Sequence, residues 1–196
     1  MQGKLFVISA PSGVGKTSLV NKLLELCSYS SLSRVITYTT KNPRQSDIQG
    51  IDYFFISQEE FIKKIEHGFF LEWSNIYGAY YGSPKSILDE VKLGKSYIII
   101  LDRQGACNVK SSYKEAILIW IEPPDIKTLF DRLCKRATET EDQILYRIKL
   151  AKEEIESERI EKVFNYNLIN KDFNQTLEQL ALIITYELDN LNQEDI

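Results

Sequence analysis

The sequence predicts an α/β fold of three layers, with a parallel β-sheet held between helices. Three observations predict it. The apolar run Leu5-Phe6-Val7-Ile8 passes through a Gly-containing turn into Leu19, Val20, Leu23, Leu24 and Leu26, which recur at helical spacing. Two further runs, Tyr97-Ile98-Ile99-Ile100-Leu101 and Ala116-Ile117-Leu118-Ile119-Trp120-Ile121, are continuously apolar, as strands buried on both faces are. Strands alternate with helices at the start of the chain and through its second half, the pattern of a sheet flanked by helices. A length of 196 residues, 43% of them hydrophobic and 27% charged, suits one sizeable globular domain.

In order along the chain, 5–8 is a buried strand and the leucine-rich stretch after Lys16 a helix. Ser28 to Ser31 form a polar loop. Arg34-Val35-Ile36-Thr37-Tyr38-Thr39-Thr40 is rich in β-branched residues and reads as one strand. A charged loop, 41–47, leads to a strand at 53–56. Ser57 and Glu60 have the capping-box spacing at the start of a helix, with Phe61, Ile62 and Ile65 forming an apolar face and Gly68 as its stop. Residues 69–74 are extended and place Glu72 inside an apolar run. Tyr77 to Ser83 read as an aromatic turn. Pro84 suits the first position of a helix ending near Gly94, with Ser83 an alternative N-cap. The strand at 97–101 closes on Asp102 at its carboxyl end, where open α/β sheets bind ligands. The strand at 116–121 stops at Pro123-Pro124. A helix follows from 125 to 136, with Ile126, Leu129, Phe130 and Leu133 inward. After a polar break at 138–141 a long charged helix runs to about 163. A short strand at 166–169 and a helix from about 174 to 188 end the pattern. The shorter strands of 38–88 break the alternation and predict an inserted lobe.

Composition narrows the function. A net charge of −4 gives no electrostatic basis for binding nucleic acid non-specifically. Cys27, Cys107 and Cys134 lack metal-ligand spacing and point to buried thiols in a reducing cytoplasm. One histidine, His67, argues against a His-based metal site. No run of about 18 apolar residues predicts a membrane span, and the first apolar run is too short for a signal peptide.

The most chemical stretch is Ala10-Pro11-Ser12-Gly13-Val14-Gly15-Lys16-Thr17, between a strand and a helix. Its Gly-Lys-Thr ending is that of a phosphate-binding P-loop. The glycines let backbone N–H groups turn inward, and the helix N-terminus adds partial positive charge. Lys16 can reach the outer phosphates, and the Thr17 hydroxyl is placed to hold Mg²⁺. The general pattern opens with Gly, where this chain has Ala10.

Further motifs follow in order: Thr39-Thr40-Lys41-Asn42-Pro43-Arg44, Gly50-Ile51-Asp52-Tyr53, Phe70-Leu71-Glu72-Trp73, Tyr80-Tyr81-Gly82-Ser83 and Leu101-Asp102-Arg103-Gln104-Gly105. With the P-loop they resemble the guanylate kinase family over about 4–188, and that family often has Ala at the first loop position. The resemblance implies the P-loop NTPase three-layer fold with a parallel sheet core (1–37 and 89–190), an inserted GMP-binding lobe (about 38–88) and a helical lid (about 132–150) in a single domain over 1–196. It implies transfer of the γ-phosphoryl of ATP to GMP, and to dGMP, with Mg²⁺ as cofactor and nucleotides, not nucleic acid or membrane, as partners; a homodimer stays open.

Residue by residue, the resemblance assigns ATP to Ala10, Pro11, Ser12, Gly13, Val14, Gly15, Lys16, Thr17 and Ser18, with Arg132 and Asn170. It assigns the GMP phosphate to Lys41, Arg44, Tyr53 and Tyr81, and the guanine to Glu72, Thr37, Ser83 and Asp102. Lys16, Arg44, Arg136 and Arg147 are the implied catalytic cations, with Arg132 also matching a lid arginine. Guanine presents N1–H and an exocyclic amine to a carboxylate, and adenine has neither donor on that edge, so Glu72 should reject AMP. Arginines closing on the transferring phosphoryl would stabilise it without a covalent enzyme intermediate. Three positions depart from the family pattern: Lys41 for an Arg, which gives up the planar fork; Ile100 for the first acid of an Asp-x-Asp; and Ala137 for a Gly in the lid. Lys41 predicts looser phosphate binding, Ile100 leaves the metal to Thr17, phosphates and water, and Ala137 predicts a stiffer hinge. The competing readings are a guanylate-kinase-like domain that binds protein without catalysis, and another nucleoside monophosphate kinase.

Overall fold

The computed structural model describes residues 2–26, 32–45, 47–76, 78–135 and 140–189. In chain order its elements are β1 (Leu5–Ser9), α1 (Lys16–Leu26), β2 (Leu32–Arg34), β3 (Thr37–Thr39), β4 (Tyr53–Phe55), α2 (Gln58–Glu66), β5 (Phe70–Ile76) and β6 (Ala79–Pro84). Then come α3 (Ile87–Lys92), β7 (Ser96–Leu101), α4 (Arg103–Ser112), β8 (Ile117–Glu122), α5 (Ile126–Lys135), α6 (Glu141–Glu161), β9 (Tyr166–Ile169) and α7 (Phe173–Asp189).

Five strands form a parallel sheet in the order β2-β7-β1-β8-β9. Side chains alternate across it, as strand geometry requires. Phe6, Ile8, Ile98, Ile117, Ile119 and Ile121 pack with α1, α5 and α7 on one face. Leu5, Val7, Ile99, Leu101, Leu118 and Trp120 pack with α3 and α4 on the other. Both faces are dry, which is why these strands read as unbroken apolar runs. Parallel strands share one carboxyl edge, so the loops after β1, β7, β8 and β9 all emerge together. Among them are the P-loop, Asp102 and Asn170.

The second sheet has the order β4-β3-β6-β5, with β3 parallel to β4 and antiparallel to β6. One face is covered by aromatic side chains beneath α2: Phe61 stacks on Phe70 at 4.5 Å and on Tyr80 at 5.3 Å between ring centroids. A bulge interrupts the β5–β6 pairing between Phe70 and Glu72. Phe70 therefore lies on the α2 side with Trp73 and Tyr80, and Glu72 points to the opposite face.

Four expectations are corrected. The run 34–40 is two strands in different sheets: β2 ends at Arg34 and β3 starts at Thr37. The stretch read as an aromatic turn is β6 from Ala79 onward, with Tyr77 outside the described residues. Pro84 ends that strand instead of starting a helix, and α3 begins at Ile87, so Ser83 is not its cap. Between β7 and β8 lies α4, which the sequence reading lacked; the Asp102 carboxylate caps it by accepting from Gly105 N at 2.6 Å. The loop at 28–31 falls outside the described residues. The α6 start, by contrast, carries a full capping box between Thr140 and Gln143.

Candidate active site

The P-loop is folded around its own lysine. Gly13 and Gly15 have φ of 96° and 106°, conformations that suit glycine. At Gly13 a Cβ would also lie 2.8 Å from Leu133, so α5 presses on the loop. Lys16, at the start of α1, donates its ammonium to the carbonyls of Ala10 and Pro11. Ala10 and Val14 are buried, whereas Thr17 and Ser18 face solvent in the first turn of α1.

Three residues assigned to ATP or the lid by resemblance converge on this loop. Arg132 on α5 donates to the carbonyls of Val14 (3.3 Å) and Asn170 (3.1 Å). Asn170, after β9, donates its amide to Val14 O at 2.8 Å. Its buried Oδ1 has no hydrogen-bond partner among the described residues. Arg147 on α6 reaches the Ser12 hydroxyl at 2.6 Å. Arg136 and Ala137 lie outside the described residues.

The acceptor residues line the face of the second sheet away from α2. Residues alternate along each strand, so Thr37 with Thr39, Tyr81 with Ser83, and Glu72 with Ser74 share a side. Glu72 pairs with Ser83 across β5 and β6. Continuing the β3–β6 register sets Thr37 abreast of Ser83. Glu72 is 4% exposed, and the Ser83 hydroxyl donates to its Oε1 at 2.6 Å. Burial pushes its carboxyl up to about 7; the Ser83 hydrogen bond opposes this and the nearby Asp102 charge adds to it. Asp102 also accepts from the Ser74 hydroxyl at 3.1 Å. The start of α4 passes so close that a Cβ on Gly105 would sit 3.1 Å from Glu72 Oε2.

At the other end of this face Tyr53 and Tyr81 meet edge to face, 6.1 Å apart. Burial raises both phenols: for Tyr53 the neighbouring Tyr81 adds to it, and for Tyr81 Thr39, Arg44 and Arg147 oppose it. Both therefore stay protonated and can donate to an anion. The Lys41 ammonium lies 4.8 Å from the Tyr53 ring centre and 2.7 Å from Asp47 Oδ2. Arg44 is exposed, and its charge acts on both tyrosines. Arg147, bonded to the P-loop and felt at Tyr81, connects the two residue sets.

Two acids here escaped the sequence reading. Asp47 closes the 41–47 loop, and its only sequence signal is an acid among cations. Glu154 lies on α6 two turns after Arg147 and one turn before Glu158, which pairs with Arg103 at 3.4 Å. That spacing turns Glu154 toward the P-loop and Asp102. Burial pushes its carboxyl up to about 7, against the pull of Lys16 and with the push of Asp102. The i, i+7, i+11 pattern of Arg147, Glu154 and Glu158 was its legible trace. Chemically, the arrangement combines a lysine-bearing loop that can hold a polyphosphate with a sheet face carrying phenols and cations that can bind an anion and, beside them, the carboxylates of Glu72 and Asp102 as hydrogen-bond acceptors.

Comparison with known proteins adds to this geometry. The guanylate kinase family model matches residues 2–187. The guanylate kinase of Clostridium tetani is 41% identical over 187 residues, spanning 95% of this chain and 87% of that protein. The Thermotoga maritima guanylate kinase is 37% identical over 188 residues, with 95% and 88% covered. The crystal structure of guanylate kinase from Anaplasma phagocytophilum aligns with a TM-score of 0.78 at 28% identity, covering 95% of this chain and 87% of that one.

Proposed function

The chain belongs to the guanylate kinase family, nucleoside monophosphate kinases that pass a phosphoryl group from ATP to GMP, and we propose how its residues divide that work. The observation that carries the proposal is the buried Glu72–Ser83 pair beside Asp102, on the same sheet face as Tyr53, Tyr81 and Lys41. Glu72 accepts from guanine N1–H and the exocyclic amine, with Thr37 and Ser83 on the O6 side and Asp102 near the amine. Lys41, Arg44, Tyr53 and Tyr81 hold the GMP phosphate. Residues 38–88 make up the GMP-binding lobe, 1–37 and 89–190 the core, and about 132–150 the lid.

The loop from Ala10 to Ser18 wraps the ATP phosphates with backbone N–H groups, and Arg132 and Asn170 fix it from outside. A GMP phosphate oxygen attacks the γ-phosphorus, the bond to the β,γ-bridging oxygen breaks, and ADP leaves with that electron pair. Lys16, Arg44, Arg136 and Arg147 neutralise charge on the oxygens in flight, and no residue becomes phosphorylated. Lid closure excludes water, so the γ-phosphoryl meets GMP and not solvent.

Magnesium fits this proposal through Thr17, whose hydroxyl lies exposed in the first turn beside Lys16. With Ile100 where the family pattern has an acid, such an ion would rest on Thr17, nucleotide oxygens and water. Bound, it neutralises phosphate charge. No helix among the described residues is long and apolar enough to cross a membrane. Cys107 is half-buried and Cys134 exposed, which corrects the expected burial of the thiols; their lack of metal-ligand spacing still supports a cytoplasmic location, and nucleotides are the partners of this reading.

A coupled assay with ATP against GMP, dGMP, AMP, UMP and dTMP tests it. Turnover of GMP and dGMP with rejection of the rest is expected. Preference for another base would overturn the Glu72 assignment, and turnover of none would favour a binding module.

A further inference from the structure

The loop between β3 and β4 carries the cations assigned to the acceptor phosphate, and its geometry is set by an acid outside that set. Asp47 Oδ2 accepts from the Lys41 ammonium at 2.7 Å and from Arg44 N at 3.0 Å. The Asp47 backbone N–H returns to Arg44 O at 3.0 Å. One residue thus ties both cation-bearing positions together, by side chain and by main chain. The Lys41 and Asp47 side chains are 20% and 13% exposed, so solvent screens this pair less than an open surface pair.

A lysine needs such a tie more than an arginine does. Its ammonium is a point charge on a four-carbon stem with no preferred direction of approach, whereas a guanidinium brings its own fork. Here the stem is anchored at its base by Lys41 N donating to Thr39 Oγ1 at 3.1 Å. Its tip rests between Asp47 and the Tyr53 ring, 4.8 Å from the ring centre. An ammonium has three N–H donors, and Asp47 takes one, so the pairing is compatible with a phosphate on another.

We propose that Asp47 is a positioning residue for the acceptor phosphate: it aims Lys41 at the space beside Tyr53 and shapes the loop that presents Arg44. It does not touch the nucleotide itself. The inference rests on the GMP reading and deepens it. The arrangement supplies by pre-organisation what Lys41 lacks in built-in geometry. A substrate without the phosphate should be indifferent to Asp47.

The test compares the unmodified enzyme with Asp47→Asn, Asp47→Glu, Lys41→Met and the double variant Lys41→Met/Asp47→Asn. Asp47→Asn is expected to raise the GMP KM about tenfold, the usual loss for one charge-assisted hydrogen bond. The kcat and ATP KM should stay within about twofold, and Asp47→Glu should recover part of the loss. Lys41→Met should raise the GMP KM similarly, and the double variant should be no worse than Lys41→Met alone, because the amide oxygen introduced by Asp47→Asn can still accept from Arg44 N and only the ammonium contact is lost. Calorimetric binding should weaken for GMP and not for guanosine. A lowered GMP KM in Asp47→Asn would make Asp47 a competitor of the phosphate and overturn the proposal. So would an undiminished Asp47→Asn effect in the Lys41→Met background, or equal losses for guanosine. Thermal unfolding of each variant separates a misfolded loop from a misaimed one. An unmodified chain that fails to phosphorylate GMP would instead remove the underlying reading.

Discussion

Glu72→Gln separates what the carboxylate does for the fold from what it does for the substrate, because the two effects have opposite signs. The side chain is 4% exposed and its folded-state pKa is about 7, against an ordinary 4.5, chiefly because burial penalises the charge. Between those values the native state holds a proton that the unfolded chain releases, so this group makes stability fall as pH rises. The loss is complete above pH 7 and amounts to about 3 kcal/mol, at roughly 1.4 kcal/mol per tenfold. An amide has no such cost, and its oxygen can still accept from Ser83. Glu72→Gln should therefore match the unmodified protein near pH 4.5 and exceed it at pH 8 by roughly 6–12 °C in melting temperature, for a chain of this size. Activity should move the other way. The amide can accept from one guanine donor but turns an N–H toward the other, which costs about 1.5–3 kcal/mol, or roughly ten- to a hundredfold in kcat/KM for GMP. The unmodified enzyme should also bind GMP better from pH 6 to 8 as Glu72 ionises, and the variant should lose that rise. Melting curves at pH 5 and 8 with steady-state kinetics at both provide the check. A melting difference independent of pH, or an unchanged GMP KM, would refute the reasoning.

Lys16→Ala should cut turnover at least about a hundredfold while the far-ultraviolet spectrum stays native, since its role is phosphate charge and not packing; persistent turnover in the coupled assay counts against it. Gly105→Ala should hold or raise melting temperature through helix propensity. Its Cβ would meet Glu72 Oε2 at 3.1 Å, so the GMP KM should rise several-fold while the ATP KM does not. Gly82→Ala would set a Cβ 2.8 Å from Phe70 and 2.9 Å from Phe61 and should cost about 2 kcal/mol, roughly 6 °C; an unshifted melt would show that the aromatic layer yields. Lys41→Arg should lower the GMP KM by supplying the planar fork, and an unchanged value would count against looser phosphate binding at Lys41.

The sequence was most legible where structure is local. The P-loop announces itself because strand, glycines, lysine and helix are contiguous, and the parallel core because its strands are dry on both faces. It was least legible where a sheet changes or a side chain needs a distant reason. Nothing in Arg34 to Thr40 marks Val35 and Ile36 as the crossing from one sheet to the other, since both are good strand residues. Gly82 suggested a turn, but it is a strand residue kept small by Phe70 on the neighbouring strand and Phe61 on α2. The α4 sequence, with an internal Gly and few strong helix formers, is held by its Asp102 cap and by burial of Ala106 and Val109. In the site, Glu72 stood out as an acid in an apolar run. Asp47 and Glu154 looked like ordinary surface charges until loop closure and helix phase turned them inward.

The bulge ahead of Glu72 gives base recognition an unusual kind of fragility. Phe70 faces the aromatic layer and Glu72 the pocket only because one extra residue sits between them. Point substitutions at neighbouring positions can weaken the reader without relocating it. Straightening the bulge with Leu71 in place would leave every chemical group in the chain's repertoire but restore two-residue periodicity, sending the carboxylate and the ring to the same side, whereas deleting Leu71 would remove the extra residue and keep them on opposite sides. Discrimination between purines is thus stored partly in the path of the backbone at the bulge, and not in the side chains alone.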